Sequence, residues 1–401
     1  MLLERFIKYV KVDTMSSEEA TSTPSTLKQF DLAKILMEEL KELGLKDIKL
    51  TDTCILTATL PKNTEKNSHT IGFIAHMDTI PGFSGTNVNP QVFKNYDGKR
   101  IDLKKNISLD PAKFPFLNDL KGKTLITTDG TTVLGADDKA GVAIIMEMLE
   151  FFVNNPNVEH TEIKVAFTPD EEIGGGIDSF DVKEFGAEFA YTIDGGEYNQ
   201  INYENFNAAS AFIKINGLDI HPGSAKGQMI NAASIACEFE MMLDEFAKPM
   251  YTEGYEGFNH LCEMCGNVTC ATMDYILRNH DKNKLDNQKN SFIEITKKLN
   301  EKYGKGVVEL TLKDSYSNMA EYIKKDPKAV KFAIKAMNKL GIKEVIEPIR
   351  GGTDGAKLTL KGLNTPNLGT GGYNCHGPYE CACLEEMEIV LNIIKEIAKI
   401  W

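Results

Sequence analysis

The 401-residue chain exceeds the roughly 250–300 residues at which one hydrophobic core stops growing, so two domains are expected. With 42% hydrophobic and 26% charged residues it has the composition of a packed globular protein, and large-scale disorder is not expected. Acidic residues outnumber basic ones 58 to 45, for a net charge of -13, and no dense Lys/Arg cluster exists to follow a phosphate backbone, which argues against nucleic acid as a partner.

The amino terminus, MLLERFIKYV, has helical amphipathic spacing and carries Glu4 and Arg5 where an export signal would be apolar. The longest apolar run, GVAIIMEMLEFFV, contains Glu147 and Glu150 and is too short to span a bilayer. A cytoplasmic protein with no membrane partner is expected. Eight cysteines are too sparse for a disulfide scaffold. The Cys262/Cys265 pair with Cys270 lacks the second pair that a structural zinc site needs, so these read as incidental thiols.

A second helix follows in TLKQFDLAKILMEELKELG, with Gly44 at the capping position. Short β-rich runs, LTATL, TIGFIAH, TTVLG, IKVAFT and FAYTID, then alternate with helical segments such as AGVAIIMEMLEFFVNN. Near-continuously apolar strands separated by helices predict an α/β domain: a mixed, mainly parallel sheet with helices on both faces. From about Phe206 the texture changes to strand AFIKING, helix NAASIACEFEMMLDEFA, strand CATMDYILRNH, polar helix NSFIEITKKLNEKYG and strand VVELTLK. That order predicts an inserted α+β domain of the ferredoxin-like kind. The expected division is 1–205 and 318–401 for the main domain and 206–317 for the insertion. The stretch from Pro81 to Gly122 has no assignable pattern.

Several apolar runs end in groups able to bind metal, at the strand ends where α/β sheets expose residues to a shared crevice. TIGFIAHMD ends in His76 and Asp78, TTVLGADDK in Asp137 and Asp138, IKVAFTPDEE in Glu171 and Glu172, and FAYTID in Asp194; His376 follows NLGTGGYNC. Singly each reads as a turn carboxylate or an ordinary histidine. Together they form an imidazole and carboxylate set suited to zinc. Two ions roughly 3.5–4 Å apart can activate a water and polarise a carbonyl. Such chemistry also needs a carboxylate that stays off the metals to move protons. Adjacent residues at a strand end point in different directions, so one glutamate of the pair can ligate while its neighbour acts as base.

The order HMD, GADDKAG, TPDEE, YTIDGG and a late GGYNCHG after an insertion resembles the dizinc exopeptidases that include aminoacylase and carboxypeptidase G. Longer stretches, LITTDGTTVLGADDKAG, VAFTPDEEIGGG, NFNAAS, HPGSAKG, YTEGYEGF and PIRGGTDGAKL, bring the chain nearest the tripeptide aminopeptidases of that group. The resemblance implies one zinc on His76, Asp137 and Asp194 and a second on Asp137, Glu172 and His376, with cobalt or manganese as substitutes. It further implies Asp78 as the partner that orients His76, Glu171 as general base, and a cis peptide after Asp137. His221, in HPGSAKG, is implied as an oxyanion partner, and the insertion as a lid.

Three further residues have two readings each. Arg278 can pair with a peptide's terminal carboxylate or be an ordinary strand residue. Arg350, before two glycines, can meet a ligand or form an interdomain salt bridge. Asn231 can contact substrate or cap the helix that follows it. The expected function is release of the N-terminal residue from short peptides, chiefly tripeptides. Dipeptides or N-acyl amino acids are the alternative substrates, and a non-catalytic metal-binding protein is the alternative class. Pairing of chains through the insertion is left open.

Overall fold

The computed structural model describes residues 1–66 and 68–399. The chain divides into two compact units, the first formed by Met1–Tyr203, Met319–Glu347 and Thr353–Trp401, the second by Glu204–Asn318 and Pro348–Gly352.

The first unit is built on an eight-stranded sheet. Its central strands are β1 (Thr70–His76), β2 (Glu162–Thr168) and β3 (Phe189–Ile193), with β1 between the other two and parallel to both. Antiparallel strands Lys46–Leu50 and Leu56–Leu60 extend the sheet beyond β2, and Asn367–Leu368, Gln200–Asn202 and Val345–Ile346 extend it beyond β3. The sheet is thus mixed with a parallel centre. Ile71, Phe73 and Ile74 of β1 and Val165, Ala166 and Phe167 of β2 are all buried, because a parallel strand is covered on both faces and has no polar side to alternate with.

The helix α1 (Ala136–Asn154) covers this centre and is buried along most of its length. A helix apolar nearly all round must lie inside a protein, and burial of each large side chain such as Ile144, Leu149 or Phe152 contributes roughly 1.5–3 kcal/mol. The two acids within its apolar stretch have partners: Arg5 of the helix Leu2–Val10 donates to Glu147 at 2.6 Å and Glu150 at 2.7 Å. Gly141 is obligatory, since a Cβ there would sit 1.9 Å from the carbonyl oxygen of Ile193. The missing side chain lets α1 start hard against the end of β3, which brings Asp137 beside Asp194.

TTVLG is a loop and not the strand its composition predicts; the strand lies just upstream at Leu125–Thr127. The physical reason is that the Leu134 and Gly135 amides are taken by a carboxylate, Glu380, and the Val133 amide by the Ser84 carbonyl, so no ladder can form. The stretch without assignable pattern supplies strand Gln91–Phe93 to a small sheet with Leu125–Thr127, Cys381–Cys383 and Gly372–Tyr373. Its aromatic residues grip the loop that carries His376: Phe116 stacks on Tyr373 at 4.4 Å between ring centroids, and Phe114 lies 5.2 Å from Tyr379.

The second unit runs strand, helix, strand, strand, helix, strand, with a four-stranded antiparallel sheet in the order Phe258–Gly266, Cys270–Asn279, Asn207–Asn216, Val308–Tyr316. Helices Ala232–Met241 and Lys282–Tyr303 pack Ile235, Phe239, Phe292 and Leu299 onto Ile213, Ile215, Met273 and Leu277. The order is the ferredoxin-like one. Its strand Phe258–Gly266 contains Cys262 and Cys265, exposed free thiols on the sheet edge. No helix among the described residues is long and apolar enough to cross a membrane.

Candidate metal centre

Three neighbouring strands of the first unit end at one place. His76 closes β1 and is 2% exposed, and Asp78, two residues on, is fully buried. The His76 Nδ1 donates to the Asp78 carbonyl at 3.1 Å, with the Asp78 carboxylate at 3.3 Å. With Nδ1 turned to Asp78, Nε2 is the ring nitrogen that faces Asp137 Oδ1 at 2.9 Å and Asp194 Oδ1, just past β3, at 3.6 Å. Asp78 has a second task. Its two carboxylate oxygens accept the backbone N–H groups of Glu171 and Glu172 at 3.0 and 3.2 Å, tying the ends of β1 and β2 together.

The two glutamates occupy a single 3₁₀ turn, Glu171–Ile173, that begins after the left-handed Asp170. Asp170 is anchored by Ser25 and Gln29, and Gly176 cannot be replaced, because a Cβ would lie 1.5 Å from the Pro169 carbonyl oxygen. In a turn this tight, successive side chains diverge. The Glu172 carboxylate meets His376 Nε2 at 3.0 Å, whereas among the described residues no hydrogen bond holds the Glu171 carboxylate. His376 itself has a left-handed backbone with φ 71° and sits 3.2 Å from Asp137 Oδ2. Asp137 follows the Gly135 turn into α1, its peptide bond to Asp138 is cis, and its two oxygens face two different histidines.

The donors therefore form two sets, His76–Asp137–Asp194 and Asp137–Glu172–His376, with Asp137 common to both and the ligand atoms of each set within 4.8 Å of one another. Electrostatics shows what is lacking. Burial, with the Asp137 and Asp354 charges adding to it, pushes the Asp194 carboxyl up to about 7, and burial beside Asp194 drives Glu171 well above the ordinary range. Glu172 is raised as well, again mainly by burial. Hydrogen bonds to Asp137 and Glu172 raise the His376 imidazole to about 10. One further carboxylate oxygen, Asp138 Oδ2, is buried without a partner among the described residues. The cluster is short of positive charge, and neutral imidazole with carboxylate is a donor set that divalent zinc accepts. The residues fit a metal centre.

Two acids at this centre were not singled out from the sequence. Asp354, buried, accepts from Thr168 Oγ1 at 2.8 Å, and burial lifts its carboxyl to about 6. Glu380, 1% exposed, accepts the backbone N–H of Leu134, Gly135 and Asp137. Only the proximity of GGTDGA and HGPYE to other candidate residues hinted at either.

The remaining candidates lie in the second unit. His221 precedes a short 3₁₀ turn, and its Nδ1 accepts from the Gly223 amide at 3.2 Å. Arg278 donates to the carbonyls of Ala209 and Leu277 and lies 5.3 Å from the Tyr316 ring centroid. Arg350 donates to Thr252 Oγ1 and to the carbonyls of Thr252, Gly254 and Glu256, between the rings of Phe206 and Phe258. Those bonds all stay inside the unit, so this arginine braces a loop. Asn231 caps its helix by accepting from the Ser234 amide at 3.1 Å.

A mixed α/β unit with paired donor sets at its strand ends, joined to a ferredoxin-like unit, defines the class as a metallopeptidase fold. The chain belongs to peptidase family M20/M25/M40, whose model matches residues 133–400. It is 53% identical over 406 residues to peptidase T of Alkaliphilus oremlandii, covering 99% of each chain, and 52% identical over 398 residues to peptidase T of Clostridium perfringens, covering 99% of this chain and 98% of the other. The fold is similar to that of a tripeptidase from Staphylococcus aureus, with a TM-score of 0.79 at 23% identity over 99% of this chain and 97% of that one.

Proposed function

We propose that the chain is a metal-dependent aminopeptidase that removes the N-terminal residue from short peptides, chiefly tripeptides, at a centre holding two zinc ions. The observation that supports this most is the sharing of Asp137 between two donor sets, with Glu171 beside them and belonging to neither. In this reading His76, Asp137 and Asp194 hold one ion and Asp137, Glu172 and His376 the other, with cobalt or manganese as substitutes. Two such ions supply Lewis acidity toward a peptide carbonyl and toward water.

The chain's own residues do the rest. Asp78 holds the His76 tautomer that leaves Nε2 as a ligand and fixes the turn from which Glu171 projects. Glu171 Oε takes the proton from the attacking water and returns it to the departing amine. His221 is the proposed partner of the carbonyl oxygen as it gains charge, and Arg278 of the peptide's terminal carboxylate, which gives the second unit the role of a lid. Exposed free thiols at Cys237, Cys262, Cys265 and Cys375 support a reducing, cytoplasmic setting. The outer edge of Phe258–Gly266 supports pairing of chains through the second unit.

Liberated amine measured across di-, tri- and tetrapeptides, with free and acetylated amino termini, tests the reading. The expected result is a kcat/KM for free tripeptides at least about tenfold above the others, equivalent to ~1.4 kcal/mol, and loss of activity on chelation that zinc restores. Preference for dipeptides or for N-acyl amino acids transfers the site to those substrates, and full activity in metal-free protein rules the mechanism out.

A further inference from the structure

We propose that Glu380 is a positioning residue that holds Asp137 between the two donor sets, so that both sets bind metal tightly only while its carboxylate is in place. The inference rests on the metal-centre reading above. A helix leaves its first amides without intrahelical partners. At α1 one of these, the Asp137 amide, shares a single acceptor with the Leu134 and Gly135 amides of the loop before the helix. Glu380 Oε2 accepts from Leu134 at 2.7 Å and Gly135 at 2.8 Å, and Oε1 accepts from Asp137 itself at 3.0 Å.

The contact joins positions 243 residues apart, and Glu380 closes the tight turn that directly follows His376, its amide donating to the Gly377 carbonyl at 3.2 Å. One short segment therefore brings a candidate ligand of the second set and a brace for the ligand common to both. Ionised carboxylate suits the task because both of its oxygens accept. Glutamine has one acceptor oxygen, and its NH₂ group would face backbone N–H, so it cannot hold Asp137 and the Leu134–Gly135 amides together.

Metal-free Glu380→Gln protein titrated with zinc tests this. The expectation is an affinity about 10–100-fold weaker at both sites, as for partners that orient ligands, with kcat recovering in excess zinc and KM for peptide unchanged. Glu396→Gln serves as control: its carboxylate is buried, pairs with Lys339 and Lys399, and touches no metal donor, so it should lower the melting temperature and leave zinc affinity alone. If Glu380→Gln folds poorly, Glu380→Asp, one methylene shorter, should weaken zinc binding in the same direction. A Glu380 variant that melts earlier yet binds zinc as the parent does, or one that weakens a single site, overturns the proposal. Failure of the parent to bind zinc would instead sink the metal-centre reading.

Discussion

Glu171→Gln is expected to lower kcat by about 10²–10⁴, the range typical of a general acid–base group, while the protein keeps its full metal content. Glutamine preserves the size of the side chain and the Glu171 amide still reaches Asp78, so the turn should stay folded. What disappears is the carboxylate that carries the proton in the proposed mechanism. Glu172→Gln should behave differently. Its carboxylate meets His376, so the loss falls on one donor set, and excess zinc should return part of the activity. Metal analysis of both variants beside steady-state kinetics checks the assignment. A Glu171→Gln protein that loses a zinc while Glu172→Gln keeps both reverses the two roles.

Asp137→Asn should be the most damaging change to metal binding. Oδ1 lies 2.9 Å from His76 Nε2 and Oδ2 3.2 Å from His376 Nε2, so each oxygen serves a different set. Asparagine offers one oxygen and turns an N–H₂ toward the other histidine. Both affinities should fall, by more than the ~10–100-fold characteristic of a residue that only orients ligands. Calorimetric titration of metal-free protein with zinc measures this directly. Two sites of parental affinity in Asp137→Asn would mean that Asp137 is not shared.

Much of this centre can be read from sequence because each strand that leads to a candidate ligand is an apolar run that ends abruptly in acid or histidine. TIGFIAH, IKVAFT and FAYTI are parallel strands buried on both faces, and the polar residue marks where cover ends. The family resemblance then orders the candidate ligands. Strand Phe258–Gly266 left little trace, because it is an edge strand with most of its side chains exposed and so lacks the alternation that marks a half-buried strand. TTVLG misleads for the opposite reason. Its β-branched residues have strand propensity, but its amides are claimed by Glu380 and Ser84, partners remote in sequence. The region from Pro81 to Gly122 is illegible because its strands are only two or three residues long and one of them, Gln91–Phe93, pairs with Leu125–Thr127 in a sheet completed from the far end of the chain. Glu380 and Asp354 show the same limit at the scale of a side chain. A lone acid carries no local pattern, and its role emerges only when the fold brings it to its partner.

In the proposed mechanism one aspartate joins two metal-binding sets while the neighbouring glutamate remains outside both. Anomalous diffraction at the zinc edge from crystals of the zinc-loaded protein tests it most directly. Two peaks are expected on either side of Asp137, one contacted by His76 and Asp194 and the other by Glu172 and His376, with the Glu171 carboxylate bound to neither. A single peak, or a peak ligated by Glu171, would contradict it.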